Sequence, residues 1–155
     1  MLLPLRSLFW PSYHNALIDT AKRLLAEKQP EIATVTAHMA CEIRTEQLFA
    51  QAFAKPTFAH LEESVRSLLP SYSLANDRFR RLYTALTKDD IETQPFWRDF
   101  KASAKRRNDA VHKGVRINLP DAQSSCRVAE QLITHLDRVA VKPVPDRQCD
   151  VTPSQ

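Results

Sequence analysis

Three side chains in the second half of the chain have the types and spacing needed for acid–base chemistry on a phosphate. They are Arg107, Asn108 and His112, within the stretch RRNDAVHKG. A guanidinium can bind phosphate oxygens in a bidentate manner, and an imidazole exchanges a proton near neutral pH. On a helix, Asn108 and His112 share a face, whereas Arg107 lies roughly 140° around the axis from His112 and must reach toward it. We take these three side chains as the candidate catalytic set.

Basic residues surround this set. From Arg98 to Arg116 there are seven basic and two acidic residues, a balance of +5 in a chain whose formal net charge is +4. Concentrated positive charge suits phosphate ligands, including nucleic acid. The basic residues that could hold neighbouring phosphates are Lys105, Arg106, Lys113 and Arg116. The alternative is a solvated helix face on which the charges serve only solubility.

The only glycine of the chain, Gly114, directly follows this segment. Glycine commonly ends a helix in the left-handed conformation, so we expect the helix to end there. His112 would then lie in the last turn, where the helix dipole favours a protonated imidazole. The plain alternative is that the basic residues here simply cap the end of a helix.

Apolar residues before the motif predict which side of this helix faces the core. Trp97, Phe100, Ala104 and Val111 recur at intervals of three, four and seven residues. Asn108 falls near the middle of the last interval, so it is predicted to face the core. A buried amide without partners costs roughly 1–3 kcal/mol, so Asn108 would need hydrogen bonds there.

The rest of the chain consists of amphipathic segments separated by prolines, which predicts a series of helices. The expected helices cover about residues 14–28, 31–54, 58–69, 79–86, 95–114 and 120–140. The composition is that of a globular protein, 43% hydrophobic and 26% charged, and a single glycine argues against an all-β fold. We predict an all-α fold, an antiparallel bundle of five or six helices in one domain over residues 1–140. The polar, proline-bearing residues 141–155 are expected to be a disordered tail.

The second helix is predicted to be central because it has two apolar strips. One strip contains Ile32, Val35, Met39, Ile43, Ala50 and Phe53. The other contains Ala37, Cys41, Leu48 and Ala52. Glu42 could pair with Arg107 inside the bundle, or it could be an ordinary surface charge. With only His38 nearby, it does not make a metal site.

The cysteines and the N-terminal residues indicate in which cellular compartment we expect the protein. Cys41, Cys126 and Cys149 have no spacing typical of disulfides or zinc, which favours a reducing compartment. The N-terminal MLLPLRSLFW is too short and interrupted for a signal peptide, and no segment has the roughly 20 apolar residues that span a bilayer. We expect a cytoplasmic protein without a membrane partner. The apolar residues expected to pack on the core or on a partner are Leu2, Leu5, Leu8, Phe9 and Trp10.

The motif and its setting resemble the HEPN superfamily. Its signature is an arginine, a polar residue that is often asparagine, and a histidine after four to six intervening residues, near the end of a late helix. Arg107, Asn108 and His112 match this pattern. The long alanine-rich second helix and the segment LPDAQSSCRVAEQLITHL directly after the motif are also similar. The resemblance covers about residues 14–140.

The resemblance implies RNA as the ligand. Many members are metal-independent endoribonucleases that act as homodimers, with the motifs of two protomers facing one another. Others have lost catalysis and bind RNA or protein partners. In toxin–antitoxin pairs of this family, a tyrosine two residues after the histidine is modified. Gly114 stands at that position here, so the sequence departs from the family in that form of control.

Two hypotheses about function follow from the resemblance. In the first, the protein is a toxin or defence endoribonuclease that cuts single-stranded RNA without a metal or cofactor, with a cognate antitoxin or regulatory protein as a further partner. His112 would transfer the proton, Arg107 would neutralise the developing charge, and Asn108 would orient the histidine or bind the phosphate. In the second, the protein is a non-catalytic helical module that binds RNA or a protein partner.

Overall fold

The computed structural model describes residues 12–68 and 72–141, and these residues form six α-helices. The helices are α1 (Tyr13–Ala26), α2 (Pro30–Phe53), α3 (Glu62–Leu68), α4 (Asp77–Thr87), α5 (Trp97–Lys113) and α6 (Leu119–Val141). Two short 3-10 turns, Ala59–Leu61 and Ile91–Thr93, lie before α3 and α5. The described ranges contain no β-strand. The predicted all-α bundle is confirmed.

Some of the sequence-based predictions concern residues that the structure does not describe. The apolar N-terminal residues, the end of the predicted third helix at 69–70, the tail after residue 141 and Cys149 lie outside the described residues.

Local sequence signals explain where the helices begin. Pro30 occupies the first turn of α2, where its missing N–H costs nothing. Asn76 caps α4, because its side-chain oxygen accepts hydrogen bonds from the backbone N–H groups of Arg78 and Phe79. The helix boundary at Pro30 therefore lies where the position of this proline predicts it.

Helix α2 lies at the centre of the bundle and packs against α1, α5 and α6. It runs in the same direction as α6, since Cys126 contacts the carbonyl of Ala33 near one end and Asp137 bonds Arg44 nearer the other. Small buried residues on α2, namely Ala33, Ala37, Ala40 and Cys41, line its core face. Small side chains let two helix backbones approach closely, and at Ala33 and Cys41 α2 contacts Cys126 and Ala129 of α6.

Helix α5 runs antiparallel to α6. Its beginning lies near the C-terminal part of α6, where the ring of Phe96, the residue before α5, lies 5.8 Å from that of His135. Farther along, Arg106 reaches Ser125 in the N-terminal half of α6. The end of α5 therefore lies beside the beginning of α6, and its other flank lies against α2.

The two apolar strips of α2 have different environments. The strip with Ala37, Cys41 and Leu48 is buried, as predicted. In the other strip Phe53 is buried, but Ile32 is 54% exposed, Met39 is 39% exposed and Ala50 is also exposed, so the prediction that this strip packs in the core is wrong for these three residues. The physical reason is that α2 packs closely against α6, and the strip with small residues allows this close packing, so this strip is the one that is buried. Part of the bulkier strip remains at the surface.

Candidate functional site

The end of α5 has the geometry that the lone glycine predicts. Gly114 has φ +65°, the left-handed conformation, and its N–H donates to the carbonyl of Ala110 at 3.2 Å. The N–H of Val115 donates to the carbonyl of Asp109 at 3.3 Å. Both bonds satisfy carbonyls that the helix end would otherwise leave free. His112 and Lys113 are therefore confirmed in the last turn of α5.

The prediction for Asn108 is wrong, since this residue is exposed rather than core-facing. Val111, which helped define the predicted stripe, is 49% exposed. The buried side of α5 contains Phe100 and Ala104, and its continuation at helical spacing is Arg107. A seven-residue step advances a straight helix by slightly less than two turns, so the core-facing side drifts along the sequence.

Arg107 is partly buried, and its hydrogen bonds are incomplete. Its Nη1 donates to Oδ1 of Asn108 at 3.0 Å. Its Nε is buried and has no hydrogen-bond partner within the described ranges. No carboxylate of those ranges forms an ion pair with this guanidinium. Arg107 is thus a charged group with donors still available for an anion.

The bond to Asn108 links the buried and the exposed sides of α5. Asn108 and His112 are both exposed and stand four residues apart, so they share one face about a turn apart. The guanidinium of Arg107 is tied to that face through Asn108. This arrangement connects an arginine donor with an imidazole that solvent and substrate can reach.

Two neighbouring residues of α2, His38 and Glu42, form a polar pair, and His38 packs against α5. His38 is 4% exposed, and its ring stacks on Phe100 of α5 with centroids 5.9 Å apart and planes 12° apart. Its Nε2 lies 3.6 Å from Oε1 of Glu42, longer than an ordinary hydrogen bond. Its other ring nitrogen, Nδ1, is buried without a partner among the described residues.

Glu42 is held in its charged form. Burial raises the pKa of its carboxyl, but the neighbouring His38 imidazole and the positive charge of Arg107 outweigh burial and lower it overall. The predicted ion pair between Glu42 and Arg107 is not made within 4.0 Å, although the two charges influence one another. The alternative of a plain surface charge also fits poorly, because the Glu42 side chain is only 24% exposed.

The candidate phosphate-binding lysines are engaged with one aspartate. Nζ of Lys113 lies 2.7 Å from Asp109, and Lys105 pairs with the other oxygen of the same carboxylate. Hydrogen bonds from Lys105 and Lys113 lower the pKa of Asp109 to about 2. Both lysine side chains remain mostly exposed, at 77% and 68%, so their charges still face solvent.

The two candidate arginines beside the motif have different surroundings. Arg106 is partly buried and pairs with Asp121 of α6 at 3.1 Å, and it also donates to Ser125 at 3.4 Å. It therefore joins α5 to α6. Arg116 is 93% exposed and lies 3.5 Å from Glu31 at the start of α2. Of the basic residues, Arg116 is the most accessible to a ligand.

The structure thus joins Arg107 to Asn108, with His112 one turn from Asn108, and it places Glu42 beside His38 on α2. Sequence reasoning placed His38 near Glu42 only as an incomplete metal site and missed its stacking on Phe100 of α5. Its signal was its position four residues before Glu42 on the same helix. In the part of the chain that the structure describes, no group of three His, Cys, Asp or Glu side chains could hold a metal ion. None of the helices described there is long and apolar enough to cross a bilayer.

The fold and this cluster define an all-α helical bundle with a polar site between α2 and α5. No family model, curated protein or solved structure matches the chain.

Proposed function

We propose that the protein is a HEPN-like endoribonuclease that cuts single-stranded RNA without a metal ion. The observation that carries this proposal is the hydrogen bond from Arg107 to Asn108, one turn from the exposed His112. It ties the guanidinium of Arg107, the proposed phosphate-binding group, to the exposed face that also contains His112, the proposed proton-transfer group. The resemblance of this motif to the superfamily supplies RNA as the substrate.

The reaction needs few protein groups because RNA contains its own nucleophile. The 2′-hydroxyl attacks the adjacent phosphorus, the P–O5′ bond breaks, and the products are a 2′,3′-cyclic phosphate and a 5′-hydroxyl. His112 takes the proton from the 2′-hydroxyl or gives one to the leaving 5′-oxygen. Arg107 donates to the phosphate oxygens on which negative charge develops.

One His112 cannot perform both proton transfers at once, and two protomers would supply both. The proposed assembly is a homodimer in which the two copies of the motif face one another. Exposed apolar residues on α5 and just after it, Val111 and Val115, support an interface near the motif. Light scattering at roughly tens of micromolar should give the mass of a dimer. A monomer would remove the composite site but not RNA binding.

The test of catalysis is cleavage of labelled single-stranded RNA in EDTA. His112→Ala should lower the cleavage rate by roughly 10²–10⁴ while RNA affinity stays nearly unchanged, because only the proton-transfer group is lost. His60→Ala is the matched control, since His60 is also exposed and lies in the 3-10 turn before α3. Equal cleavage by the parent and by His112→Ala would end the catalytic proposal.

A second candidate function is a non-catalytic module that binds RNA or a protein. The observation in its favour is the exposed apolar strip of α2 with Ile32 and Met39. Such a surface would suit a partner, and in a toxin or defence system that partner would be an antitoxin or regulatory protein. RNA binding without cleavage, together with a monomer in solution, would favour this function over the first.

A further inference from the structure

The solvent side of α5 has a continuous stripe of polar residues that leads to the motif. Five exposed residues follow one another at intervals of three, four, three and four positions, namely Arg98, Lys101, Lys105, Asn108 and His112. At about 3.6 residues per turn, this spacing keeps them within about 80° of the helix surface. The stripe is about 21 Å long, because each residue advances the helix by about 1.5 Å. We call these five residues the α5 stripe; its first three members are cations and its last two belong to the motif.

The first two cations of the α5 stripe are not neutralised by acidic side chains. Neither Arg98 nor Lys101 forms an ion pair with any residue of the described ranges. Asp99 is close to both in sequence, but it lies roughly 100° around the axis from Arg98 and roughly 160° from Lys101. Lys105 pairs with Asp109, although its side chain is 77% exposed. The uncompensated positive charge of the stripe is therefore greatest at the beginning of α5, away from the motif.

A nearby arginine of α4 shows what a structural cation looks like in this region. Arg80 is only 13% exposed, and it pairs with Asp77 at 2.6 Å and with Glu92 at 3.1 Å. Its guanidinium also lies 5.3 Å from the ring centroid of Trp97, so it joins α4 to the first turn of α5. The first two cations of the α5 stripe face solvent instead, and their charges remain available to a ligand.

We propose that the α5 stripe binds the part of a single-stranded RNA that lies on one side of the cleaved phosphate. With that phosphate at the motif, the strand runs toward the beginning of α5, and its next phosphates contact Lys105, Lys101 and Arg98. Side chains one turn apart on a helix begin about 5–6 Å from each other, so flexible cations at this spacing can reach successive phosphates. Phosphate contacts of this kind give affinity and position without reading the bases. This inference rests on the proposed function, in which RNA is the substrate.

The experiment measures binding of the full chain to a fluorescently labelled single-stranded RNA in which every 2′-hydroxyl is methylated, so that the strand cannot be cleaved. Fluorescence anisotropy gives the association constant at several salt concentrations. The quantity compared is the slope of the logarithm of this constant against the logarithm of salt concentration, because the slope reports the number of phosphate contacts.

Removing the first two cations of the α5 stripe should flatten this slope. Arg98→Gln combined with Lys101→Gln should lower its magnitude by about 1.4, since each contact with a single strand contributes about 0.7. Affinity at about 0.1 M salt should fall roughly tenfold to thirtyfold for the same reason. The matched control is Arg127→Gln combined with Arg138→Gln, which removes two exposed cations of α6 and should leave the slope near that of the parent. Circular dichroism checks that both variants keep their helices.

Cleavage tests whether the α5 stripe lies on one side of the cut. The substrates contain one ribonucleotide among 2′-O-methyl nucleotides, so only one phosphate can be cleaved, and the strand is lengthened on its 5′ side or on its 3′ side. In Arg98→Gln with Lys101→Gln, the gain in kcat/KM from lengthening one side should be lost. The gain from the other side and the kcat/KM of the shortest substrate should stay at the parent values. Loss of the gain on both sides, or on neither, would contradict a one-sided path.

The outcomes separate this inference from the proposed function. An unchanged salt slope in Arg98→Gln with Lys101→Gln, or an equal decrease in the α6 control, would overturn the α5 stripe as an RNA surface even if the parent cleaves RNA. The expected slopes without cleavage by the parent in EDTA would support the stripe and end the catalytic proposal. If the parent does not bind the methylated strand saturably, RNA as the ligand and the α5 stripe both fail.

Discussion

Helix α2 takes part in two buried polar clusters, and among the described residues only one of them contains fully buried nitrogens without a hydrogen-bond partner. On the side of α1 and α6, Arg44 bonds Asp137 at 2.6 Å and His14 bonds Gln47 at 2.9 Å. On the side of α5 the bonding is incomplete. The described residues include three buried side-chain nitrogens without a partner, and they belong to His38, Trp97 and Arg107.

This difference indicates that the cluster at Arg44 has a structural role and that the cluster at Arg107 is a candidate ligand site. Buried polar groups are nearly always hydrogen-bonded, and an unsatisfied one costs roughly 1–3 kcal/mol. The cluster at Arg44 leaves no fully buried nitrogen without a partner, and its bond to Asp137 stabilises the contact of α2 with α6. The cluster at Arg107 has buried nitrogens without a partner next to the exposed face of Asn108 and His112, which is the property we expect of an anion site.

The largest difference between the two clusters should appear when the same substitution, to methionine, is made at Arg107 and at Arg44. Arg107→Met removes the guanidinium but keeps much of its volume. RNA cleavage should fall by roughly 10²–10³, as for the loss of a donor to a developing oxyanion. Unfolding in urea should show no loss of stability, because the substitution removes a buried donor that had no partner and a bond to the exposed Asn108, which water can replace. A stability loss as large as that of Arg44→Met would mean that Arg107 is structural.

Arg44→Met should have the opposite profile. Its bond to Asp137 is lost from a buried position, although half of the Asp137 side chain is exposed and can be hydrated. The unfolding free energy should fall by about 1–2 kcal/mol, less than for a fully buried pair. RNA cleavage at a temperature where the variant is folded should stay at the parent rate. A cleavage defect in the folded variant would show that the two clusters are coupled.

The smallest expected effect is a pH dependence of the satisfied cluster. Burial lowers the pKa of His14 below its usual 6.5, with the charge of Arg44 acting in the same direction and the bond to Gln47 opposing it. The unfolded chain then binds the proton more readily than the folded one. The stability from neutral His14 is full above pH 6.5 and decreases as pH falls below it. His14→Gln should flatten the slope of unfolding free energy between pH 7 and pH 5, and an unchanged slope would assign it to other groups.

The fold could be predicted largely from the sequence, because helix periodicity and proline positions mark each segment. Gly114 also fixed the end of α5 correctly, since its left-handed conformation is a local property. Periodicity could not decide which of the two apolar strips of α2 is buried. That choice depends on how closely α6 approaches, and the small residues Ala37 and Cys41 permit a closer approach than Met39 does.

The site was predictable in its residue types but not in their orientation. The spacing of apolar residues pointed to Asn108 as the inward residue, whereas Arg107 turns inward and Asn108 lies at the surface. A long arginine stem can pack against apolar neighbours while its head reaches a polar group, which composition alone does not reveal. The place of His38 depends on a contact between α2 and α5, which are far apart in sequence.

The central claim is that the unsatisfied cluster at Arg107 binds the RNA phosphate. The direct measurement follows the arginine side-chain Nε–H signals by NMR while a non-cleavable, 2′-deoxy single strand is added. The signal of Arg107 and the side-chain amide of Asn108 should shift in a saturable and salt-dependent way, while the signal of Arg44 stays in place. Saturable binding that leaves Arg107 and Asn108 unmoved, or the absence of any binding, would contradict the claim.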